Sequence, residues 1–149
     1  MRTDSGTVRL EPARESMLDE LAAAERVCFP SDPWESGVIR SMLDGYLLAR
    51  DAEGTLAGWL VYRSVLDEGS IENVAVLPAF RRQGIAARLL EETERRAREG
   101  GMAVLYLEVR ASNEAALRLY ESHGFESVGR RKNYYTAPRE DAILMTKTL

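Results

Sequence analysis

The chain has 149 residues, of which 45% are hydrophobic and 30% charged, so it is long and apolar enough to fold around a buried core. The single cysteine, Cys28, and the single histidine, His123, exclude an internal disulfide, a Cys/His metal cluster and a histidine-based catalytic triad, and we expect no metal. The net charge of −4 argues against nucleic acid as a partner but would suit a basic partner.

The beginning of the chain, MRTDSGTVRL, lacks the apolar core and cleavage site of a signal peptide, which argues against export. No apolar run in the sequence approaches the roughly 20 residues that span a bilayer. We therefore expect a soluble, cytoplasmic protein without a membrane partner. Because no repeat, low-complexity tract or linker divides the sequence, residues 1–149 are expected to form one domain, and we expect a monomer.

The first half of the chain alternates between strand and helix patterns. Strands are predicted over Thr7–Leu10, Tyr46–Arg50 and Leu56–Val65, and helices over Arg14–Cys28 and Trp34–Leu43. The two prolines of Pro30–Pro33 predict a rigid turn between the two helices. The turn residues Asp51–Gly54 indicate that the second and third strands form a hairpin.

The stretch Asn73–Leu90 predicts a strand, a turn and a helix. The strand Ser70–Leu77 is expected to end at Pro78, because proline has no amide hydrogen to donate to a sheet. The following helix, Gly84–Glu99, has apolar or small residues at three- and four-residue spacing. These positions are Ile85, Leu89, Thr93 and Ala97, flanked by Ala86 and Leu90.

The turn before this helix, RRQGIA, predicts a phosphate site. The first N–H groups of a helix have no intrahelical partner and lie at the positive end of its dipole, which favours an anion. Gly84 and Ala86 leave room for a phosphate near the backbone, while Arg81 and Arg82 add positive charge. The pattern is neither a P-loop nor a Rossmann fingerprint, and an ordinary solvated connection is the alternative.

The second half predicts strands over Ala103–Val109, Ser127–Arg131 and Ala142–Thr148, and a helix over Asn113–Ser122. The last two strands are expected to pair through a long connection. The resulting order, β-α-α-β-β-β-α-β-α-β-β, predicts an α/β (α+β) fold with a central mixed sheet flanked by helices on both faces.

Two side chains in this half are candidates for proton transfer. Glu108 lies near the end of an otherwise apolar strand, where a carboxylate is costly unless it is solvated or used. Asn113 and Tyr120 share one helix face about 10 Å apart, so both can contact an extended ligand. The alternatives are a strand-end glutamate that reaches water and a core tyrosine. His123 is interpreted as a helix-end residue and Cys28 as core packing.

The segment from Asn73 to Leu90 resembles the coenzyme A pyrophosphate motif of the GNAT N-acetyltransferase superfamily, Gln/Arg-x-x-Gly-x-Gly/Ala after an apolar strand. The element order is similar along nearly the whole chain. The resemblance implies the fold of that superfamily, in which two central parallel strands separate around the pantetheine arm, and acetyl-CoA as co-substrate. Its implied cofactor contacts are Val74, Ala75, Val76, Arg81, Arg82, Gln83, Gly84, Ile85, Ala86 and Asn113.

Five segments within residues 29–145 resemble the bacterial ribosomal-protein alanine N-acetyltransferases: FPSDPWE, VLDE, NVAVLPAFRRQGIAARLLE, LEVRASNEAALRLYESHGF and RRKNYYTAPREDAILM. By position, Glu108 then matches the general base and Tyr120 the general acid. The resemblance also implies a basic N-terminal tail of a ribosomal protein as partner. The substrate side would comprise Asp32, Trp34, Glu35, Tyr134 and Tyr135. Two departures are the additional Ser31-Asp32, which bears on substrate choice, and Ala86 in place of the commoner glycine.

The expected reaction is direct transfer of an acetyl group from acetyl-CoA to an N-terminal α-amine, without a covalent role for Cys28. The first alternative is an acetyltransferase for a lysine side chain, a polyamine or another small amine, against which the RKNYY and FPSDPWE segments argue. The second is a noncatalytic acyl-CoA-binding module, which would not need both Glu108 and Tyr120.

Overall fold

A computed structural model describes residues 8–149, so Thr7 of the predicted first strand and the residues before it lie outside the described range. The strands are β1 (Arg9–Pro12), β2 (Tyr46–Arg50), β3 (Leu56–Val65), β4 (Glu68–Val76), β5 (Val104–Arg110), β6 (Glu126–Thr136) and β7 (Arg139–Thr148). The α-helices are α1 (Leu18–Cys28), α2 (Ser36–Ser41), α3 (Ile85–Glu99) and α4 (Glu114–Ser122). Short 3₁₀ turns occupy Glu15–Met17, Leu43–Gly45 and Pro78–Phe80.

The described strands form one mixed sheet in the order β1-β2-β3-β4-β5-β7-β6. The β1/β2, β2/β3, β5/β7 and β6/β7 pairs are antiparallel, and β4 runs parallel to β5. The parallel ladder joins Glu68–Ile71 to Val104–Leu107. The predicted mixed sheet with flanking helices is therefore confirmed.

The chain divides into two compact units. Among the described residues, the first consists of residues 8–62 and Asn73–Thr93, and the second of Arg63–Glu72 and Glu94–Leu149. The core of the first unit forms where α1 and α2 present apolar side chains to the strands. Its fully buried members include Leu21 on α1, Ile39 on α2 and Trp59 on β3. Burial of such side chains supplies most of the favourable free energy of folding.

Arg50 is a charged residue inside the first unit, with only 8% of its side chain exposed. Its guanidinium donates to Glu11 at 2.7 Å, to Glu20 at 2.8 Å and to the Gly54 carbonyl at 3.1 Å. A buried cation costs desolvation free energy unless its donors are satisfied, and these bonds satisfy them. Through these bonds, Arg50 joins β2 to β1, to α1 and to the turn before β3.

In the second unit, β5 alternates between two faces. Leu105, Leu107 and Val109 are buried with 7% exposure or less, whereas the residues between them are half-buried. The strand that is almost wholly apolar in the sequence is therefore buried on one face only. The other face carries Tyr106, Glu108 and Arg110, because side chains two residues apart point the same way along a strand.

The helical periodicity predicted after the turn is confirmed along α3. Ile85, Leu89, Leu90, Thr93 and Ala97 are all buried. The helix begins at Ile85 and not at the predicted Gly84, which has a φ of 77° and therefore lies in the left-handed region just outside the helix.

The long connection predicted between the last two strands was wrong. β6 continues to Thr136 and β7 starts at Arg139, so only Ala137 and Pro138 separate them. The sequence pattern did not show the full length of β6, because nine of its eleven residues are exposed. An exposed edge strand lacks the alternation of apolar and polar residues by which a half-buried strand is recognised. Helix α2 is likewise shorter than predicted, because Glu35 has an extended backbone with a ψ of 165°.

Candidate active site

The first unit contains the turn predicted to bind a phosphate. Arg82 and Gly84 have left-handed backbones, with φ of 67° and 77°, on either side of Gln83. Alternating backbone handedness directs successive N–H groups towards one concave side, a geometry that suits an anion. The Oε1 atom of Gln83 is buried, with no hydrogen-bond partner among the described residues. The turn thus has a backbone shape that fits an anion, and the Gln83 oxygen can accept a hydrogen bond from a donor group.

The end of β4 lies beside this turn. The Nε–H of Arg81 donates to the Val76 carbonyl at 2.9 Å, and the Cys28 thiol approaches the same oxygen at 3.8 Å. A Cβ atom at Gly58 would lie 2.5 Å from the Ala75 carbonyl, so only glycine allows β3 to come this close. Within the first unit, the predicted cofactor residues of β4 and of the turn are therefore brought together through Arg81.

Cys28 is half-buried, and burial raises the pKa of its thiol. A thiol is a weak nucleophile compared with its thiolate, and a raised pKa keeps it protonated. This environment agrees with the expectation that Cys28 has no covalent role, and the interpretation as core packing fits its position against the apolar cluster of the first unit.

Glu25 was not recognised from the sequence as a site residue. It is only 2% exposed, and its carboxylate accepts hydrogen bonds from the backbone N–H of Trp34 at 3.0 Å and from Asn73 Nδ2 at 3.2 Å. Burial raises the pKa of Glu25, and the nearby negative charge of Asp32 acts in the same direction. Glu25 thereby connects α1 to Trp34 in the predicted substrate segment and to Asn73 on β4.

The predicted substrate residues of the first unit differ in exposure. Asp32 and Glu35 are exposed, whereas Trp34 is half-buried and packs against the hydrophobic core of the unit. The indole therefore contributes to the fold of this segment. The two carboxylates face solvent.

In the second unit, the half-buried face of β5 places Glu108 among donors. The Nε–H of Arg131 on β6 lies 3.0 Å from a Glu108 carboxylate oxygen, and the hydroxyl of Tyr106 lies 3.4 Å from the same oxygen. The Glu108 side chain keeps 19% of its exposure. It is therefore held in place without being sealed from solvent, as a group that exchanges protons requires.

Tyr134 and Tyr135 form an edge-to-face pair, with ring centroids 5.1 Å apart and planes at 84°. A hydrogen bond to Glu108 raises the pKa of Tyr134. Tyr135 lies under the guanidinium of Arg110, which is 4.2 Å from the ring centroid, and burial raises the pKa of Tyr135 to about 12. The paired tyrosines thus pack over the same β5 face that carries Glu108.

Tyr120 is 7% exposed and packs edge-to-face on Phe125 at 5.8 Å. Burial raises the pKa of Tyr120 to about 12, and the nearby Tyr135 contributes to the rise. At neutral pH the hydroxyl is therefore protonated. Asn113 is the N-cap of α4, and its Oδ1 accepts the N–H of Ala116 at 3.2 Å.

The second unit therefore brings four predicted residues into one neighbourhood, namely Glu108, Tyr120, Tyr134 and Tyr135. Sequence reasoning missed their supporting cations. Arg110 follows Glu108 by two residues, a spacing that signals a shared strand face. Arg131 gave no such signal, because its contact with Glu108 depends on the pairing of distant strands.

Among residues 8–149, no group of three or more histidine, cysteine, aspartate or glutamate side chains is arranged to hold a metal ion. None of the helices in that range is long and apolar enough to cross a membrane.

Residues 14–125 match the sequence profile of the Acetyltransferase (GNAT) family. A curated relative from Escherichia coli, ribosomal protein bS18-alanine N-acetyltransferase, is 48% identical over 94 residues, which cover 62% of this chain and 64% of the relative. The chain thus matches just under two thirds of the length of that relative.

Solved structures give similar matches. The crystal structure of the ribosomal-protein-S18-alanine N-acetyltransferase from Escherichia coli superposes with a TM-score of 0.87 at 34% identity, covering 95% of this chain and 93% of that one. The NatC complex bound to Gag peptide and CoA matches with a TM-score of 0.84 at 25% identity, covering 95% of this chain and 98% of that one.

The buried Glu25 predicts a pH-dependent stability. Because its pKa is raised above the usual 4.5, the native state keeps a proton that the unfolded chain has already lost. Its contribution to stability is therefore greatest below pH 4.5 and declines as the pH rises through the raised pKa. Glu25→Gln removes this titration, so its Tm relative to wild type should increase between about pH 4 and about pH 7. Thermal unfolding measures this, and a constant difference in Tm would contradict it.

Proposed function

The chain belongs to the acetyltransferase (GNAT) family, and from this premise we propose that it transfers the acetyl group of acetyl-CoA to an N-terminal α-amine in the cytoplasm. The proposed acceptor is the N-terminal alanine of ribosomal protein bS18, the residue named in the activity of its relatives. The observation that carries the proposal is that Tyr134 and Tyr135 lie beside the half-buried β5 face that bears Glu108.

The first unit supports the proposed binding of acetyl-CoA. The left-handed residues Arg82 and Gly84 shape the turn, and Gln83 has a buried oxygen without a partner among the described residues. The pyrophosphate would be held by the N–H groups from Arg82 to Ala86, at the N-terminus of α3. Ala75 and Val76 would line the path of the pantetheine arm. The co-substrate supplies an activated acetyl thioester.

The acidity of the acceptor explains why Glu108 suffices as a base. At pH 7, an α-amine with a pKa of about 7.8 is about 14% neutral, whereas a lysine amine with a pKa of about 10.4 is about 0.04% neutral. Only the neutral amine is a nucleophile. Glu108 would take the proton that the attacking nitrogen loses, directly or through water. Its 19% exposure leaves a path for that proton to reach solvent.

Tyr120 would act as the proton donor to the leaving thiolate. Its pKa of about 12 means that the hydroxyl carries its proton at neutral pH. A thiol has a pKa of about 8.5, so the thiolate is stable enough to need only a weak acid, and the Tyr120 phenolate would then regain a proton from water. A backbone N–H near Val76 would hold the developing negative charge on the carbonyl oxygen.

The acceptor side would attract a basic N-terminal tail. Asp32 and Glu35 are exposed in the first unit, and Asp67, Glu68 and Glu72 are exposed in the second. Opposite charges that are exposed to solvent act mainly on encounter, and salt screens them beyond about 8 Å at physiological ionic strength. Tyr134 and Tyr135 would form the wall against which the tail packs.

The proposed acceptor is tested with two peptides of the same basic sequence. One has a free N-terminal alanine, and the other has a blocked N-terminus and an internal lysine. We expect turnover of the first at least about a hundredfold above that of the second, because its amine is largely available as the free base. We also expect kcat/KM to fall with added salt while kcat changes little. Equal turnover would favour a lysine acetyltransferase, and binding of acetyl-CoA without turnover of either peptide would favour a noncatalytic module.

Gly84→Glu tests the proposed pyrophosphate site. The substitution adds bulk and negative charge to a left-handed position, so acetyl-CoA affinity should fall by about a hundredfold or more. Gly101→Glu is the matched control, because Gly101 has a φ of 81° and open space around it at the end of α3. Calorimetric titration of both folded variants makes the comparison. Equal affinities for the two variants would place the pyrophosphate elsewhere.

Glu108→Gln and Tyr120→Phe test the proposed proton transfers. Each removes a proton-transfer group with little change in volume, so kcat should fall by about a hundredfold or more while acetyl-CoA binding changes little. Glu99→Gln and Tyr62→Phe are matched controls outside the proposed site. Steady-state kinetics with the alanine peptide provide the measurement. Near wild-type turnover in both test variants would mean that Glu108 and Tyr120 have structural roles only.

A further inference from the structure

The strand β6 contains a bulge beside the candidate active site. In the β6/β7 ladder, Arg131 pairs with Ala142 and Tyr135 pairs with Glu140. Three residues of β6, numbers 132–134, therefore stand opposite one residue of β7, Asp141. Extra residues in one strand of a pair bend it and redirect its side chains.

Asp141 holds both sides of the bulge. One of its carboxylate oxygens accepts the backbone N–H of Asn133 at 2.9 Å, and the other accepts Nη1 of Arg130 at 2.6 Å. Asn133 has a φ of 53°, in the left-handed region that most residues avoid. The bond from Asn133 and the ion pair with Arg130 both lower the pKa of Asp141. The charged carboxylate thus stabilises a backbone conformation that the strand alone would not favour.

The bulge explains how two consecutive tyrosines reach the same face of the sheet. Successive residues of a regular strand point to opposite faces of the sheet. Here the guanidinium of Arg131, which pairs with Glu108, lies 5.5 Å from the centre of the Tyr134 ring, and the guanidinium of Arg110 lies 4.2 Å from the centre of the Tyr135 ring. Glu108 and Arg110 share one face of β5, so both tyrosines reach the same side.

We propose that Asp141 is a positioning residue for the acceptor site, because its bonds to Asn133 and Arg130 fix the bulge that presents Tyr134 and Tyr135 together. Asp141 itself does not touch the reacting atoms. The inference rests on the proposed function in one respect, namely that the paired tyrosines form the wall for the acceptor peptide. It adds the residue that sets their orientation and thereby the affinity for the peptide.

The test uses two pairs of variants in the full chain. Asp141→Ala removes both hydrogen bonds, whereas Asp141→Asn keeps an oxygen for the Asn133 N–H and loses only the charge opposite Arg130, whose side chain is 53% exposed. Asn133→Val disfavours the left-handed backbone, whereas Asn133→Gly accepts it. The two members of each pair alter the same position with opposite expected effects on the bulge.

Steady-state kinetics should separate peptide binding from chemistry. We expect Asp141→Ala and Asn133→Val to raise KM for the alanine peptide by about tenfold or more, with kcat within about threefold and KM for acetyl-CoA unchanged. Asp141→Asn and Asn133→Gly should stay within about threefold of wild type in all three constants. A purely structural role would instead lower the amount of folded enzyme and leave both KM values alone.

The amide hydrogen exchange rate of residue 133, measured by NMR, tests whether the bulge is formed, independently of the reaction. The residue 133 amide should be protected in wild type and in Asp141→Asn, and should exchange faster in Asp141→Ala. The proposal is overturned if Asp141→Ala keeps this protection, or if Asn133→Val matches Asn133→Gly in KM for the peptide. If Asp141→Ala fails to fold, the comparison of Asn133→Val with Asn133→Gly still tests whether the bulge sets KM for the peptide. If wild type acetylates no α-amine peptide, the proposed function fails, while the exchange result still decides whether Asp141 holds the bulge.

Discussion

A buried carboxylate needs hydrogen-bond donors, and this constraint organises the predicted substrate segment of the first unit. Glu25 is almost fully buried on α1, where desolvation disfavours its charge. Its donors are the backbone N–H of Trp34 and the side-chain amide of Asn73. The Glu25 side chain therefore holds the segment that follows α1 close to β4. Its contact on β4, Asn73, directly precedes Val74.

The second unit satisfies two of its carboxylates in a related way, with cations from the exposed edge strand. Arg131 and Arg130 are consecutive on β6, and they pair with Glu108 on β5 and with Asp141 on β7. Exposed ion pairs add little to stability, but half-buried ones with defined geometry orient the groups they join. In this unit they orient Glu108 and the bulge that carries Tyr134, which is why β6 combines high exposure with a defined conformation.

The two units differ in the kind of chemistry that their residues support. The first contributes backbone geometry, in the left-handed turn at Arg82 and Gly84 and in the close approach at Gly58. Such geometry suits recognition of a charged, extended ligand. The second contributes titratable side chains whose environments differ, since Glu108 remains partly exposed whereas Tyr120 is buried with a pKa raised to about 12. The proposed base and the proposed acid of this unit therefore lie in different surroundings.

The sequence by itself determined the periodic elements, the family and the types of residue in the candidate site. The bounds of β2 and β3 and the buried stripe of α3 followed from local patterns of side chains, because a periodic pattern reports the burial of one face directly. Glu108 was identified in the same local way, from a carboxylate in an apolar strand.

Only the tertiary structure decided the partners of these residues. Arg131 meets Glu108, and Asp141 meets Asn133, because strand register brings residues distant in sequence together. The left-handed backbone of Asn133 and the length of the exposed strand β6 leave no periodic signal. In the sequence, Glu25 looks like any polar residue of an amphipathic helix, and only the folded structure shows that it is buried. Pairing and burial are properties of the folded chain as a whole, so local sequence patterns do not contain them.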